Sequence, residues 1–226
     1  MATLAALQWQ AVVPKTRELL AILGRMPPLR PFYLGGGTAL ALRLGHRISQ
    51  DLDLFANIEN LTDDLRRDIV AELHREHAVT ILQDSPLGLV IEVDGLAMSY
   101  FTYGYPLLAP TDSVSGIEIA GLMDIGLMKL DALMGRGMRK DFYDVYFVAP
   151  HIPLDELVAR WEDKYSYSRG LRMRLLTALV DFSIADQQQD PIVLAPVSWG
   201  QVKSFCEAEA RRLSNLWFAQ TDSERS

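Results

Sequence analysis

The stretch FYLGGGTALALRLGHRISQDLDLF, Phe32 to Phe55, decides how the chain is read. An apolar tripeptide runs into three successive glycines, then a short amphipathic segment, then two aspartates one residue apart. Phe32-Tyr33-Leu34 predicts a short strand ending at Gly35-Gly36-Gly37. Thr38 is placed to cap a helix over Ala39 to Leu44, which Gly45 would end. Asp51 to Phe55 alternates with period two and predicts a second strand. Residues two apart on a strand share a face, so the carboxylates of Asp51 and Asp53 project side by side, about 6–7 Å apart. Such a pair repels itself unless a cation sits between. A hard divalent ion such as Mg2+ accepts one or two carboxylates together with waters and phosphate oxygens. Glycines let backbone N–H groups approach a phosphate closely, and the helix start that follows adds its positive dipole end. Thr38 would add a hydroxyl donor. Neither half is specific alone: the turn lacks the Gly-Lys-Ser/Thr of a P-loop and the G-x-G-x-x-G spacing of dinucleotide folds. Together they read as two halves of one phosphate–metal site.

Working outward, Trp9 to Leu23 carries apolar residues at helical spacing and is stopped by Met26-Pro27-Pro28. Thr62 to His77 predicts a helix with a Thr-Asp start. Val79–Leu82, Leu87–Val93 and Leu96–Tyr103 predict strands, the last two joined by an Asp94-Gly95 hairpin turn. Past Pro110 the pattern becomes helical: Ile119–Met134, interrupted by Gly135 and Gly137, then Arg139–Val148, Leu154–Tyr165, Ser168–Ile184 and Trp199–Phe218. The expectation is an α+β chain, with a mixed-sheet domain over residues 1–110 and a helical domain over residues 111–226. Pro106–Ser115 serves as connector.

Composition narrows the setting. The 226 residues carry a net charge of -7 and one cysteine, Cys206. A disulfide framework and a Cys-based zinc site are excluded, and a reducing, cytoplasmic compartment is favoured. The acidic balance argues against broad polyanion binding, leaving only local basic clusters such as Arg136/Arg139/Lys140 and Arg169/Arg172/Arg174. The start, MATLAALQWQAVV, has neither a basic head nor a small-residue cleavage site and does not read as a signal peptide. No apolar run reaches the roughly 20 residues of a membrane helix. Cys206 and Trp161, Trp199 and Trp217 read as packing residues.

The spacing from Gly36-Gly37-Thr38-Ala39-Leu40 to His46-Arg47-Ile48-Ser49-Gln50-Asp51-Leu52-Asp53-Leu54-Phe55 resembles the nucleotidyltransferase superfamily of polymerase-beta-like fold. Within it the chain is similar to the AbiEii/AbiGii toxin family. Asp124–Met134 with Arg136, and Arg139-Lys140-Asp141-Phe142-Tyr143-Asp144, extend the resemblance to most of residues 32–148. It implies Mg2+-dependent transfer of a nucleoside monophosphate from a nucleoside triphosphate, as the toxin of a bacterial toxin–antitoxin or abortive-infection pair. The implied acceptor is RNA, tRNA above all, and the implied protein partner a cognate antitoxin. Gly36, Gly37 and Thr38 would contact phosphates, with Arg47 and Ser49 helping to bind the triphosphate. Asp51 and Asp53 would hold the metal. Lys129 would neutralise phosphate charge, and Asp144 would serve as a further acid or base. Read from spacing alone, Lys129 is equally a solvent-facing helical residue, and Asp144 an ion-pair partner of Lys140.

One departure stands out. The superfamily places a third carboxylate on a later central strand, where this chain has Ser99. Two alternatives follow: a catalytically weak module that binds nucleotide or protein, and a nucleotidyltransferase acting on a small molecule such as an antibiotic.

Overall fold

The structure, a computed structural model, describes residues 7–218. It resolves into two compact units, Met1–Ile125 and Gly126–Ser226. The sequence places the division after residue 110; compactness places it fifteen residues later, because Asp112–Val114 and Ile117–Ile119 are strands of the first unit's sheet.

In the first unit a short 3-10 turn at Trp9–Ala11 precedes helix α1 (Pro14–Leu23). The periodicity predicts one continuous helix from Trp9. Pro14 explains the break: it lacks an N–H and fits at the first helical position, while Val12 is extended and bridges Ser49. The elements that follow are β1 (Phe32–Leu34), α2 (Gly36–Leu44), β2 (Leu52–Ala56), α3 (Asp63–His74), β3 (Val79–Ser85), β4 (Gly88–Val93), β5 (Leu96–Thr102), β6 (Asp112–Val114) and β7 (Ile117–Ile119). The seven strands form one mixed sheet in the order β3-β4-β5-β2-β1-β7-β6. β2 lies at the centre, antiparallel to β1 and parallel to β5. Its alternation is realised: Leu52, Leu54 and Ala56 are fully buried, and Asp53 and Phe55 take the other face.

The Asp94-Gly95 turn forms as expected, with φ of 49° and 84°. Asp94 also ties the turn to its surroundings. Its carboxylate pairs with Lys15 at 2.8 Å, meets His77 Nδ1 at 2.8 Å and accepts from the Ala78 N–H. The Lys15 ammonium, with His77, holds the Asp94 carboxyl far below the usual carboxylate range.

Helix α4 (Leu122–Arg136) spans the division between the units, and α5 (Arg139–Val148), α6 (Leu154–Ala159), α7 (Trp161–Lys164), α8 (Leu171–Val180) and α9 (Trp199–Phe218) build the second. Gly137, at φ 55°, separates α4 from α5. The expected helix Leu154–Tyr165 is split at Arg160, and the expected Ser168–Ile184 is shortened, starting only after Gly170 at φ 68°. Gly126 lets α4 approach α6 closely, since a Cβ there would lie 2.9 Å from Leu157 Cδ2. On α9, Val202, Cys206, Ala210 and Leu213 form the buried stripe. Burial pushes the Cys206 thiol up to about 12, which suits a packing residue rather than a nucleophile.

Candidate functional site

Three local devices build the site of the first unit. The first is the antiparallel pairing of β1 with β2. It aligns Leu34 with Leu54 and lets the Gly35 N–H donate to the Asp53 carbonyl at 2.9 Å. The turn and the acidic strand are thus joined through backbone as soon as the two strands pair.

The second device is the absence of side chains at Gly36 and Gly37. Gly36 adopts φ 63°, a left-handed conformation that L side chains rarely take. A Cβ there would collide with Asp53 Oδ2 and lie 3.0 Å from Asp53 Cβ. A Cβ at Gly37 would lie 2.7 Å from Arg47 Nη2 and 3.2 Å from Ser49 Oγ. The turn therefore presents bare backbone against the carboxylate of Asp53, the guanidinium of Arg47 and the hydroxyl of Ser49. Helix α2 begins directly at Gly36, with Gly35 as its N-cap, so the glycines are its first turn and their N–H groups belong to its positive end.

The third device is Thr38. The sequence suggests a cap for a helix starting at Ala39, but no side-chain cap forms, because the helix has already begun. The Thr38 side chain is buried, and its hydroxyl bridges Ser49 Oγ at 2.9 Å and the Asp51 carbonyl. It fastens the Arg47–Asp51 segment beneath the glycine turn. The same segment is held from the other side by Ser49 N–H donating to the Ala11 carbonyl at 2.9 Å and by Thr16 Oγ1 donating to Gln50.

Asp51 sits just before β2 and is exposed, and Asp53 is half-buried on the strand. Parallel register places Ser99 of β5 directly beside Asp53. No group of three or more His, Cys, Asp and Glu side chains is arranged to hold a metal among the described residues. Exposed Asp51 and half-buried Asp53, two residues apart, would suit a hard divalent ion whose remaining ligands are phosphate oxygens and waters.

Gly36, Gly37, Thr38, Arg47, Ser49, Asp51 and Asp53 are thus gathered in one unit. Lys129 and Asp144 belong to the second, where they meet each other: Lys129 Nζ lies 2.6 Å from Asp144 Oδ2 and 3.9 Å from Asp141 Oδ1. Arg136 grips Asp141 with two hydrogen bonds of 2.8 and 2.9 Å. Lys129 is nearly buried and both aspartates are fully so. Asp144 pairs across the helices with Lys129 rather than along its own helix with Lys140.

Sequence reading treats Asp141 only as a favourable helix-start residue. Its buried pairing with Arg136 depends on the αL turn at Gly137, which periodicity does not encode. Asp124 is likewise fully buried and accepts from the N–H groups of Leu108 and Ala109, fixing the segment before β6.

Residues 18–100 match the family described as Nucleotidyl transferase AbiEii toxin, Type IV TA system. The resemblance carried by the glycine turn and the Asp-x-Asp strand is borne out over that segment. An uncharacterised protein of Aquifex aeolicus (strain VF5) is 40% identical over 134 residues, which is 58% of this chain and 64% of that relative. The match therefore spans just under two thirds of the relative's length. The fold is similar to JHP933 from Helicobacter pylori, with a TM-score of 0.54 at 20% identity over 96% of this chain and 97% of that one. A second H. pylori structure, described among the nucleotidyltransferases, gives 0.55 at 19% identity over 92% and 96%. The α+β fold is that of the nucleotidyltransferases.

Proposed function

We propose that the first unit binds a nucleoside triphosphate at the Gly36-Gly37 turn and that the protein transfers the nucleoside monophosphate to an acceptor hydroxyl, with release of pyrophosphate. The observation that carries this reading is the contact of the Gly36 backbone with the Asp53 carboxylate, which makes one site of the phosphate-binding turn and the acidic strand. In this reading the first-turn N–H groups of α2 face phosphate oxygens, and the Arg47 guanidinium beside Gly37 supplies a fixed positive charge to the triphosphate. Ser49 adds a hydroxyl donor. Thr38 keeps its sequence-level assignment to phosphate only through the backbone, its side chain serving to position Ser49 and Asp51.

Asp51 and Asp53 would hold a divalent ion, Mg2+ by the hardness of the donor set. That ion would offset charge on the phosphates. Catalysis of this kind rests mostly on positioning and charge neutralisation, which is what a glycine turn packed against the Asp53 carboxylate supplies. Lys129 and Asp144 enter as a pair rather than as independent groups.

For the acceptor, RNA is our reading, tRNA within it, with a toxin's role opposed by a cognate antitoxin. The family match of residues 18–100, described as a type IV toxin, supports the toxin's role. A reducing, cytoplasmic setting is consistent with a single buried cysteine, and no described helix is long and apolar enough to cross a membrane. Ser99 beside Asp53 favours one competing reading, a module that binds nucleotide without efficient transfer.

Incubating the protein with each α-labelled nucleoside triphosphate, Mg2+ and total RNA decides between them. Label entering RNA, and lost in Asp53→Ala, is the expected result. Triphosphate bound but never consumed supports the binding module. Triphosphate neither bound nor consumed overturns both.

A further inference from the structure

The face of the sheet that carries Asp53 also carries a row of aromatic rings, and strand register places them. Asp53 of β2 stands beside Ser99 of β5, and two residues further along the same strands Phe55 stands beside Phe101. On its other side Phe55 is paired with Tyr33 of β1. Residues two apart on a strand share a face, so the row Tyr33, Phe55 and Phe101 lies one step from Asp53, roughly 7 Å along β2. The opposite face holds Leu52, Leu54, Met98 and Tyr100, all fully buried, whereas Phe55 and Phe101 are only half-buried.

The rings are held in place. The buried Tyr33 ring stacks on Phe55 at 6.0 Å and 30°, and Tyr103 meets Phe55 edge-on at 5.1 Å and 61°. Tyr105 extends the row, 4.9 Å from Tyr103. Phe101 lies 5.8 Å from Phe55 and is paired across the sheet with Gly88 of β4. A Cβ at Gly88 would lie 3.0 Å from Phe101 Cδ1 and 3.2 Å from its Cε1. A side chain there would displace the ring; with glycine, the ring leans over β4.

Resting on the nucleotide reading of the Gly36-Gly37 turn, we propose that Phe55 and Phe101 form a shelf on which the base of the same nucleoside triphosphate stacks. The order of chemistry along the β1–β2 pair carries this. First come the glycine turn and the first turn of α2, then the Asp53 carboxylate, then the rings. A nucleoside triphosphate has the same order: terminal phosphates, the α-phosphate at which transfer occurs, a ribose and a planar base. One strand step separates the carboxylate from the rings and leaves room for the sugar. The small side chain of Ser99, beside Asp53, keeps that room open above β5. Phe55 and Phe101 carry no polar atom, so they hold a base by its π-face without reading its edge, and the shelf accepts all four bases.

Titration calorimetry on the full chain with Mg2+ tests this, using each nucleoside triphosphate and the same molecule without its base, ribose-5-triphosphate. Phe55→Leu and Phe101→Leu keep an apolar side chain on the strand. Each should lose about 10-fold or more in affinity for the nucleotides and keep its affinity for ribose-5-triphosphate. Phe101→Trp, which retains a ring, should retain nucleotide affinity. Gly88→Ala should weaken nucleotide binding as well, because it moves the Phe101 ring without removing it. A wild-type chain that binds ribose-5-triphosphate as tightly as the nucleotides overturns the shelf and leaves the phosphate turn standing. A wild-type chain that binds neither overturns the reading of the turn and the shelf with it. Unchanged nucleotide affinity in both Leu variants also overturns the proposal; if their KM for an RNA acceptor rises instead, the rings serve the acceptor's bases.

Discussion

The two units each carry a pair of aspartates three or fewer residues apart, and they treat them oppositely. Asp141 and Asp144 are sealed in the helical unit and neutralised by Arg136 and Lys129. Asp51 stands in solvent, and Asp53 is half-buried against a glycine turn. A buried carboxylate must be paired within the fold, because water can no longer stabilise its charge. A carboxylate on a sheet's open face can wait for a cation brought by a ligand. The first pair is already answered by cations of the fold; the second leaves room for a ligand.

Breaking the buried pair should give the largest effect. Lys129→Met removes the cation 2.6 Å from the buried Asp144 carboxyl, and loss of one member of a buried ion pair costs about 3–5 kcal/mol. Urea unfolding of Lys129→Met and of the double variant Lys129→Met/Asp144→Leu checks this. The double variant should recover much of the loss, since removing both charges removes the penalty.

Asp53→Ala should act the other way round. Its urea midpoint should stay close to wild type, while nucleotide transfer falls by about 100-fold or more, the scale of losing one preorganised charge-stabilising group. Equal losses of stability in the two variants would erase the contrast between the units.

Gly36→Ala sharpens the link between turn and strand. The left-handed backbone costs an L residue about 1–3 kcal/mol, and the new methyl displaces the Asp53 carboxylate. Both the unfolding midpoint and triphosphate affinity should fall, the latter measured by titration calorimetry. Wild-type affinity in this variant would separate the turn from the carboxylate.

The smallest effect concerns Cys206. Its thiol is raised in the folded state from 9.0 to about 12, so above pH 9 the unfolded chain loses a proton that the folded chain keeps. Stability is therefore full below pH 9 and declines as pH rises toward 12, by at most about 1.4 kcal/mol per pH unit. Cys206→Ala should flatten that part of the curve in denaturant titrations at pH 8, 9 and 10.

Much of the site is legible along the chain because its parts are local. Gly36 and Asp53 lie within a single strand–helix–strand passage, and each carries its own signal: glycine permits φ 63°, and alternation puts Asp53 on a face opposite Leu52 and Leu54. The strands at Val79–Ser85, Gly88–Val93 and Leu96–Thr102 and the helices Arg139–Val148 and Trp199–Phe218 follow from periodicity for the same reason. Less was visible where a contact crosses sequence distance. The role of Thr38 changes from helix cap to bridge because Ser49 and Asp51 fold under it. β6 and β7 are three residues each, too short for any period to show, and join the sheet only through β1.

By itself, then, the sequence determined an α+β chain with a glycine turn and an acidic strand, since backbone freedom and alternation are properties of neighbouring residues. Only tertiary structure decided that Gly36 touches Asp53, that Asp144 answers Lys129, and that β3 is left at the edge. Those outcomes depend on which strands and helices pack together, and burial sets the fate of each charge only after packing has placed it.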